Sequence, residues 1–168
     1  MTQQQMAFRI GVLTLSDKGS RGERVDESGP LLVGMCAGLG RVEKTAVIPD
    51  DRKTIVATLK AWADEDGLDL ILTTGGTGLT PRDVTPEATL AVVERLVPGM
   101  AEAMRMASLQ KTPHAMLSRG VAGIRGATLI VNLPGSPKAA RENFEVLLPA
   151  LPHALGKLKG DPSDCATA

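Results

Sequence analysis

Two spacings of apolar residues alternate along the chain. FRIGVLTLS, residues 8–16, is a nearly continuous apolar run of strand length, and the polar, glycine-containing SDKGSRGERVDE follows it. A helix is then predicted, with Ser28 placed to cap it, Pro30 in its first turn, and Leu31, Leu32, Met35 and Leu39 on one face before Gly40 supplies an exit. TAVI, 45–48, is the next apolar run. PDDRKTIVATLKAWADEDG opens with an aspartate able to cap, sets Ile55, Leu59 and Trp62 on one side, and stops at Gly67. LDLILTT, 68–74, returns to strand character. Strands this apolar need cover on both faces, so the alternation predicts an α/β sheet with helices on both sides.

The second half is more helical. Thr85 is placed to cap a segment opened by Pro86, with Glu87 in its first turn and an apolar pattern that continues through Leu96 until Pro98 interrupts it. Another helix is expected from about Gly99 to Gln110. GVAGIRGATLIVN, 120–132, reads as a turn-rich approach to a buried strand. LPGSPKAARENFEVLLPALPHALGKLKG then gives a glycine turn and a helix whose core side carries Phe144, Leu147 or Leu148, and Leu151. Pro149 and Pro152 predict a break or kink in it. The expected organisation is one domain over residues 8–160, between a flexible segment 1–7 and a frayed tail 161–168, with no internal repeat.

Composition narrows the choice of partners. Lys plus Arg and Asp plus Glu balance at 19 each, so the chain has no basic excess for a nucleic-acid surface. Cys36 and Cys165 alone support neither a disulfide framework nor a cysteine metal site, and a reducing cytoplasm fits. MTQQQMAFR lacks the apolar stretch of a secretory signal, and no run approaches the ~20 apolar residues of a membrane span. A soluble cytoplasmic protein is expected. His114 and His153 are isolated and read as surface or packing groups, as Trp62 and Met100, Met104 and Met106 read as packing groups.

The stretch TTGGTGLTPRDVTPEATL, 73–90, departs from ordinary scaffold. Gly75, Gly76 and Gly78 follow a predicted central strand, where absent side chains let backbone N–H groups approach an anionic oxygen such as phosphate. The alternative is a structural turn, and the spacing is neither GxGxxG nor GxxxxGK[ST]. Arg82 either neutralises phosphate or is a surface charge; Asp83 either positions Mg2+ or joins the turn before the Thr85 cap. Asp50 in VIPDDRKT is either a helix cap or, at the end of a parallel strand, a second acid on the same rim, with Asp51 the other candidate cap. Ser16 and Asp17 end the first strand and either bind substrate or satisfy loop donors. In NLPGSPK, 132–138, Ser136 is a credible N-cap before Pro137, at a helix start that attracts phosphate, and Lys138 adds charge. Ser118 and Arg119 in LSRG are weaker ligand candidates.

Taken together, SDKGSRGERVDESG, IPDD, LTTGGTGLTPRDVTPEAT, LSRG, GIRG, NLPGSPK and the ending KLKGD resemble the MoaB/Mog molybdopterin adenylyltransferase family of molybdenum-cofactor biosynthesis, over about residues 8–160. The resemblance implies a three-layer α/β/α sandwich with a mostly parallel sheet, a homotrimer or trimer-based oligomer, and Mg-ATP-dependent adenylylation of molybdopterin with release of pyrophosphate. A downstream molybdenum-insertion enzyme is an implied partner. By the same resemblance, Asp50 and Asp83 are the catalytic and Mg2+-positioning acids, and the pattern favours Asp50 over Asp51. Thr74, Gly75, Gly76, Thr77, Gly78 and Arg82 hold substrate phosphate, while Ser16, Asp17, Ser118, Asn132, Pro134, Gly135, Ser136 and Lys138 contribute to the pterin or nucleotide cavity. A non-catalytic carrier of molybdopterin and a structural oligomeric partner remain the alternatives.

Overall fold

Apolar runs too hydrophobic for any half-exposed position become the middle of one sheet. In the computed structural model, which describes residues 8–162, the strands are β1 (Phe8–Leu15), β2 (Gly40–Ile48), β3 (Leu70–Thr74), β4 (Arg95–Leu96), β5 (Ala122–Arg125) and β6 (Thr128–Leu133). They lie in the order β2-β1-β3-β6-β5-β4. β1 pairs in parallel with β2 and β3, and β3 pairs in parallel with β6. β5 is antiparallel to both β6 and β4. Every residue of β3 and β6 is buried, as expected of central parallel strands covered on both faces.

Among the described residues seven α-helices supply the cover: α1 (Asp17–Ser20), α2 (Ser28–Met35), α3 (Arg52–Lys60), α4 (Thr85–Leu90), α5 (Pro98–Leu109), α6 (Pro137–Leu147) and α7 (Leu151–Leu158). On one face Leu32, Met104, Phe144, Leu151 and Leu155 pack against Ile10, Val12, Leu72 and Val131. On the other, Ile55, Leu59, Trp62 and Ala88 pack against Leu13, Leu15, Ile71 and Ile130. Alternate residues of the same strands thus feed two cores, which makes three layers.

Several local expectations give way to tertiary contacts. Ser28 does not cap α2; the Asp26 carboxylate accepts the Gly29 N–H at 2.9 Å, and the Ser28 hydroxyl donates to the Gly135 carbonyl. Gly40 opens β2 five residues ahead of the expected TAVI strand, because GRVEK occupies an edge where polar side chains remain wet. Thr85 lies within α4 rather than capping it, α4 ends at Leu90, and Arg95–Leu96 pairs as a short edge strand. The turn-rich 120–132 segment is a hairpin, turning through Gly126 at φ 55°. The expected break falls between α6 and α7, with Phe144, Leu147 and Leu151 buried. Trp62 and Met104 are packing groups, but Met106 is 68% exposed. Residues 1–7 and 163–168 lie outside the described residues; of the expected tail, Asp161 donates its N–H to the Gly156 carbonyl.

Candidate active site

Because β2, β1, β3 and β6 run parallel and in register, with Ile48 beside Leu15 and Thr74 beside both Thr14 and Leu133, their carboxyl ends form one rim. The loops leaving that rim enclose a cleft of about 510 Å³, into which Ser16, Asp50, Gly75, Gly76, Asp83, Gly135 and Ser136 all face. Both acids singled out in the sequence therefore share one cavity with the glycine loop.

Asp50 is held by the end of the neighbouring strand. Its carboxylate accepts the Asp17 N–H at 3.0 Å, and its own N–H donates to the Asp17 carboxylate at 3.0 Å. Arg82 grips Asp17 with Nε and Nη2 at 2.9 and 2.8 Å, and that bidentate contact holds the Asp17 carboxyl below the usual aspartate range. Asp50 shifts the other way: burial pushes it up, the charges of Asp17 and Asp83 add to that, and the Asp17 N–H and Arg82 oppose it. Asp51 turns outward and caps α3, accepting from Thr54 N at 2.9 Å and Thr54 Oγ1 at 2.7 Å. The two neighbouring acids of IPDD thus divide the alternatives between them.

The glycine loop doubles back over the rim through positive φ at Gly75 (105°) and Gly76 (67°). A Cβ on Gly76 would lie 2.2 Å from Thr85 Oγ1 and 3.1 Å from Asp50 Oδ1, so the chain passes between them only as glycine. Thr85 anchors the loop, donating its hydroxyl to the Gly75 carbonyl at 2.9 Å and its N–H to the Gly76 carbonyl at 3.2 Å. Among the described residues, the N–H groups of Gly76, Thr77 and Gly78 donate to no protein group. Asp83 closes a turn by accepting from Thr80 N and Oγ1 at 2.9 and 2.8 Å. Arg119 stands behind, donating Nε to the Gly78 carbonyl at 2.8 Å, Nη2 to the Asp83 carbonyl at 2.6 Å and Nη1 to Glu87.

Other expected site residues fall elsewhere. Arg82 pairs with Asp17 and lies outside the cleft lining, so the structure does not bring it to the cleft with Asp50 and Asp83. Asn132 is 1% exposed and lines neither cavity; it donates to the Thr73 and Thr89 hydroxyls and accepts the Val121 N–H. Lys138 is exposed and lines neither this cleft nor the next. Ser136 does cap α6, accepting the Ala139 N–H at 3.3 Å. Thr74 donates its hydroxyl to the Pro134 carbonyl at 2.7 Å, tying the β3 and β6 loops together. Thr77, Gly78, Ser118 and Pro134 line a second cavity of about 270 Å³ with Arg105, His114 and Asn143. The cavities share walls, since Gly76 and Gly135 face the first while Thr77 and Pro134 face the second.

Sequence reasoning missed Arg24, the one cation among the described residues lining the first cleft, where it stands with Asp26, Glu27, Asp50 and Asp83. It also missed Asp26 as a fastener of the 17–27 loop, where it accepts from Thr14 Oγ1 at 2.7 Å as well as from Gly29 N. A polar, glycine-rich loop was the only available signal for either. Cys36 is buried, which pushes its thiol up to about 12 and removes it from chemistry at neutral pH. No group of three or more His, Cys, Asp or Glu side chains able to hold a metal occurs among the described residues.

An open α/β sheet with a polar, carboxylate-bearing cleft beyond the carboxyl ends of its parallel strands defines a ligand-binding protein of the doubly covered class. Residues 11–153 match the family described as "Probable molybdopterin binding domain", and the chain belongs to that family. It is 43% identical over 157 residues to a molybdopterin adenylyltransferase of Helicobacter pylori strain J99, covering 92% of this chain and 89% of that protein. It is also 46% identical over 164 residues to gephyrin of Dictyostelium discoideum, where the match covers 91% of this chain but only 23% of the larger protein. Among solved structures, the molybdopterin biosynthesis enzyme MoaB of Thermus thermophilus superposes with a TM-score of 0.87 at 56% identity, over 94% of this chain and 99% of the other.

Proposed function

We propose that the chain is a molybdopterin adenylyltransferase, joining the AMP part of ATP to the terminal phosphate of molybdopterin and releasing pyrophosphate, in molybdenum-cofactor biosynthesis. The observation that carries this reading is the meeting of Asp50 and Asp83 in one cleft with a glycine loop in which the N–H groups of Gly76, Thr77 and Gly78 have no protein acceptor among the described residues. The bacterial relative of that name, matched along most of its length, supports it. Gephyrin's duties as a whole are not carried over, because this chain spans only its homologous quarter.

An oxygen of the molybdopterin phosphate attacks the α-phosphorus of ATP; the new P–O bond forms as the bond to the β-phosphate bridging oxygen breaks, and pyrophosphate carries away the electron pair. A phosphate monoester has its second pKa near ~6 and is already ionised at neutral pH, so no protein base is required. The chain's work is to position the reactants and answer their charge. The amides of Gly76, Thr77 and Gly78 donate to phosphate oxygens, Arg24 supplies the cationic contact expected earlier of Arg82, and the Ser136-capped start of α6 adds its own N–H groups. The first cleft seats the nucleotide phosphates, and the second offers Ser118, Asn143 and Arg105 to the polar edges of the pterin.

The donor set fits Mg2+. This ion is held by one or two carboxylates together with substrate phosphates and water, which is what the two acids of this cleft, Asp50 and Asp83, offer. Asp50 and Asp83 would hold it, and when bound it screens the charge gathering on the phosphoryl oxygens. Self-association has a separate support: Met106, Leu109, Met116 and Leu117 leave an exposed apolar surface around the end of α5. The expected trimer follows from the family resemblance and is checked by light scattering over a dilution series, against which a stable monomer would count. No helix among the described residues is long and apolar enough to cross a membrane, and the proposed location is the cytoplasm.

The test is a purified-protein assay following both ATP and molybdopterin, with metal-free and substrate-omission controls. Asp83→Asn should suppress turnover far more than molybdopterin binding or assembly. Asp51→Asn, which alters only a helix cap, should leave turnover nearly intact at a stability cost of at most about 1 kcal/mol. Tight molybdopterin binding without turnover would identify a carrier instead. Near-normal turnover of folded Asp83→Asn at limiting magnesium would overturn the role given to that acid.

A further inference from the structure

The main-chain carbonyls of Gly78 and Asp83 belong to two ends of one turn, five residues apart, and a single side chain from a distant segment reaches both. Arg119 donates Nε to Gly78 O at 2.8 Å and Nη2 to Asp83 O at 2.6 Å, and its Nη1 pairs with Glu87 on α4. Its own N–H donates to Thr77 O at 2.9 Å, so side chain and backbone together hold Thr77, Gly78 and Asp83 against one strut. Glu87 has no second partner to share: its Oε2 is buried without a hydrogen bond among the described residues. The Arg119 contact holds the Glu87 carboxyl below the usual glutamate range. Both side chains are part-exposed, Arg119 at 36% and Glu87 at 45%, so the role of the pair rests on geometry: Glu87 fixes the third arm of a guanidinium whose other two arms hold the loop carbonyls.

We propose that Arg119 is a positioning residue for Asp83, fixing the separation between the amides of the glycine loop and the Asp83 carboxylate, with Glu87 locking the guanidinium in the orientation that spans both carbonyls. This rests on the reading of the cleft as an adenylyl-transfer site. Three acceptors meet one guanidinium fork, and a lysine ammonium on a flexible stem cannot reproduce that geometry. A shift of about 1 Å between loop and carboxylate is enough to cost roughly a hundredfold in a reaction that depends on alignment. The effect should therefore appear in turnover and in magnesium dependence, where loop and acid must act together, and not in contacts made by either one.

The experiment compares the parent protein with Arg119→Lys, Glu87→Gln and Asp83→Asn in three readouts: turnover, the magnesium concentration for half-maximal turnover, and binding of α,β-methylene-ATP by calorimetry with and without magnesium. Arg119→Lys should lower kcat by about 30-fold or more and raise the half-saturating magnesium about fivefold, leaving magnesium-free analogue binding within about twofold. Glu87→Gln keeps the shape but weakens the lock, so it should shift the same two quantities in the same direction by about a third as many decades, and it serves as the readout if Arg119→Lys does not fold. Turnover and magnesium dependence of Arg119→Lys close to the parent would overturn the proposal, as would losses that track a reduced folded fraction or an equal loss of magnesium-free binding. Asp83→Asn separates the two levels: if it alone alters magnesium dependence, positioning by Arg119 fails while the site reading stands; if it too behaves as the parent, both fail.

Discussion

Replacing Gly76 by alanine tests how tightly the loop, Thr85 and Asp50 are interlocked. Two costs add. A side chain at φ 67° carries a left-handed penalty of roughly 1–2 kcal/mol. The new Cβ would also sit 2.2 Å from Thr85 Oγ1, so the hydroxyl must leave the Gly75 carbonyl it meets at 2.9 Å. Breaking that buried bond adds about 1–3 kcal/mol. Gly22 supplies the control, since it has φ 74° but open space for a Cβ; Gly22→Ala should show the first cost without the second. Urea unfolding at fixed protein concentration should therefore give a stability loss for Gly76→Ala exceeding that of Gly22→Ala by about 1–3 kcal/mol at unchanged m-value. Turnover should separate them further, because the same Cβ would lie 3.1 Å from Asp50 Oδ1 and displaces that carboxylate. Equal destabilisation within about 0.5 kcal/mol, with Gly76→Ala still active, would refute the interlocked geometry.

Asp50→Asn should abolish turnover without destabilising the fold at pH 7. The folded pKa of Asp50 is raised, so the stability linked to its protonation is present below the ordinary aspartate value and lost as pH rises through the folded one. The amide oxygen of the Asp50→Asn variant can still accept the Asp17 N–H, so its unfolding midpoint should equal or exceed the parent's at pH 7 and lose that advantage near pH ~4; a larger deficit at pH 7 than at pH ~4 would contradict this. Arg24→Ala should raise the KM for ATP about five- to twentyfold at low salt with little change in kcat, and Arg24→Lys should recover part of it; unchanged KM for both substrates would remove Arg24 from the phosphate seat. Glu43 is lowered to about 2 by Arg9 first and Arg41 second, a stabilisation present above the ordinary glutamate value and lost as pH falls toward about 2. Arg9→Gln should accordingly cost stability at pH 7 and progressively less through an acid titration followed by circular dichroism.

The legible part of the fold was the part decided by burial. β1, β3 and β6 announce themselves because a central parallel strand has no wet face, and α3 does so because Ile55 and Leu59, followed by Trp62 in the wider helical turn just after it, keep helical spacing to one core. The edges were not legible. GRVEK carries no apolar alternation, yet β1 recruits it into β2, and Arg95–Leu96 is too short to print any period. The Ala122–Leu133 hairpin was hidden by its glycines, which look like loop until the Gly126 turn pairs them. Ser28 and Thr85 show the limit of cap rules. Each sits at a helix start with the right hydroxyl, and each gives it to a loop carbonyl brought close by the sheet.

The same distinction separates the acids from the cations of the site. Asp50 and Asp83 were recognisable because each ends a strand or turn at the carboxyl edge, and the topology alone brings those edges together. A cation's task depends on what lies at the far end of a long side chain, and sequence order does not disclose that. Arg82, just past the glycine loop and beside an acid, looked like the phosphate ligand but grips Asp17. Arg119, from a different segment, braces the loop through two carbonyls, a contact independent of which side chains those residues carry. Arg24, in a loop with no motif of its own, is left facing the cleft. The consequence for mutagenesis is that the three arginines should fail differently: loss of Arg82 should act on the Asp17–Asp50 pair, loss of Arg119 on magnesium-dependent turnover, and loss of Arg24 on substrate affinity. A set in which all three changed KM alone would mean that guanidinium charge near the cleft, rather than the geometry of what each one holds, is what the site requires.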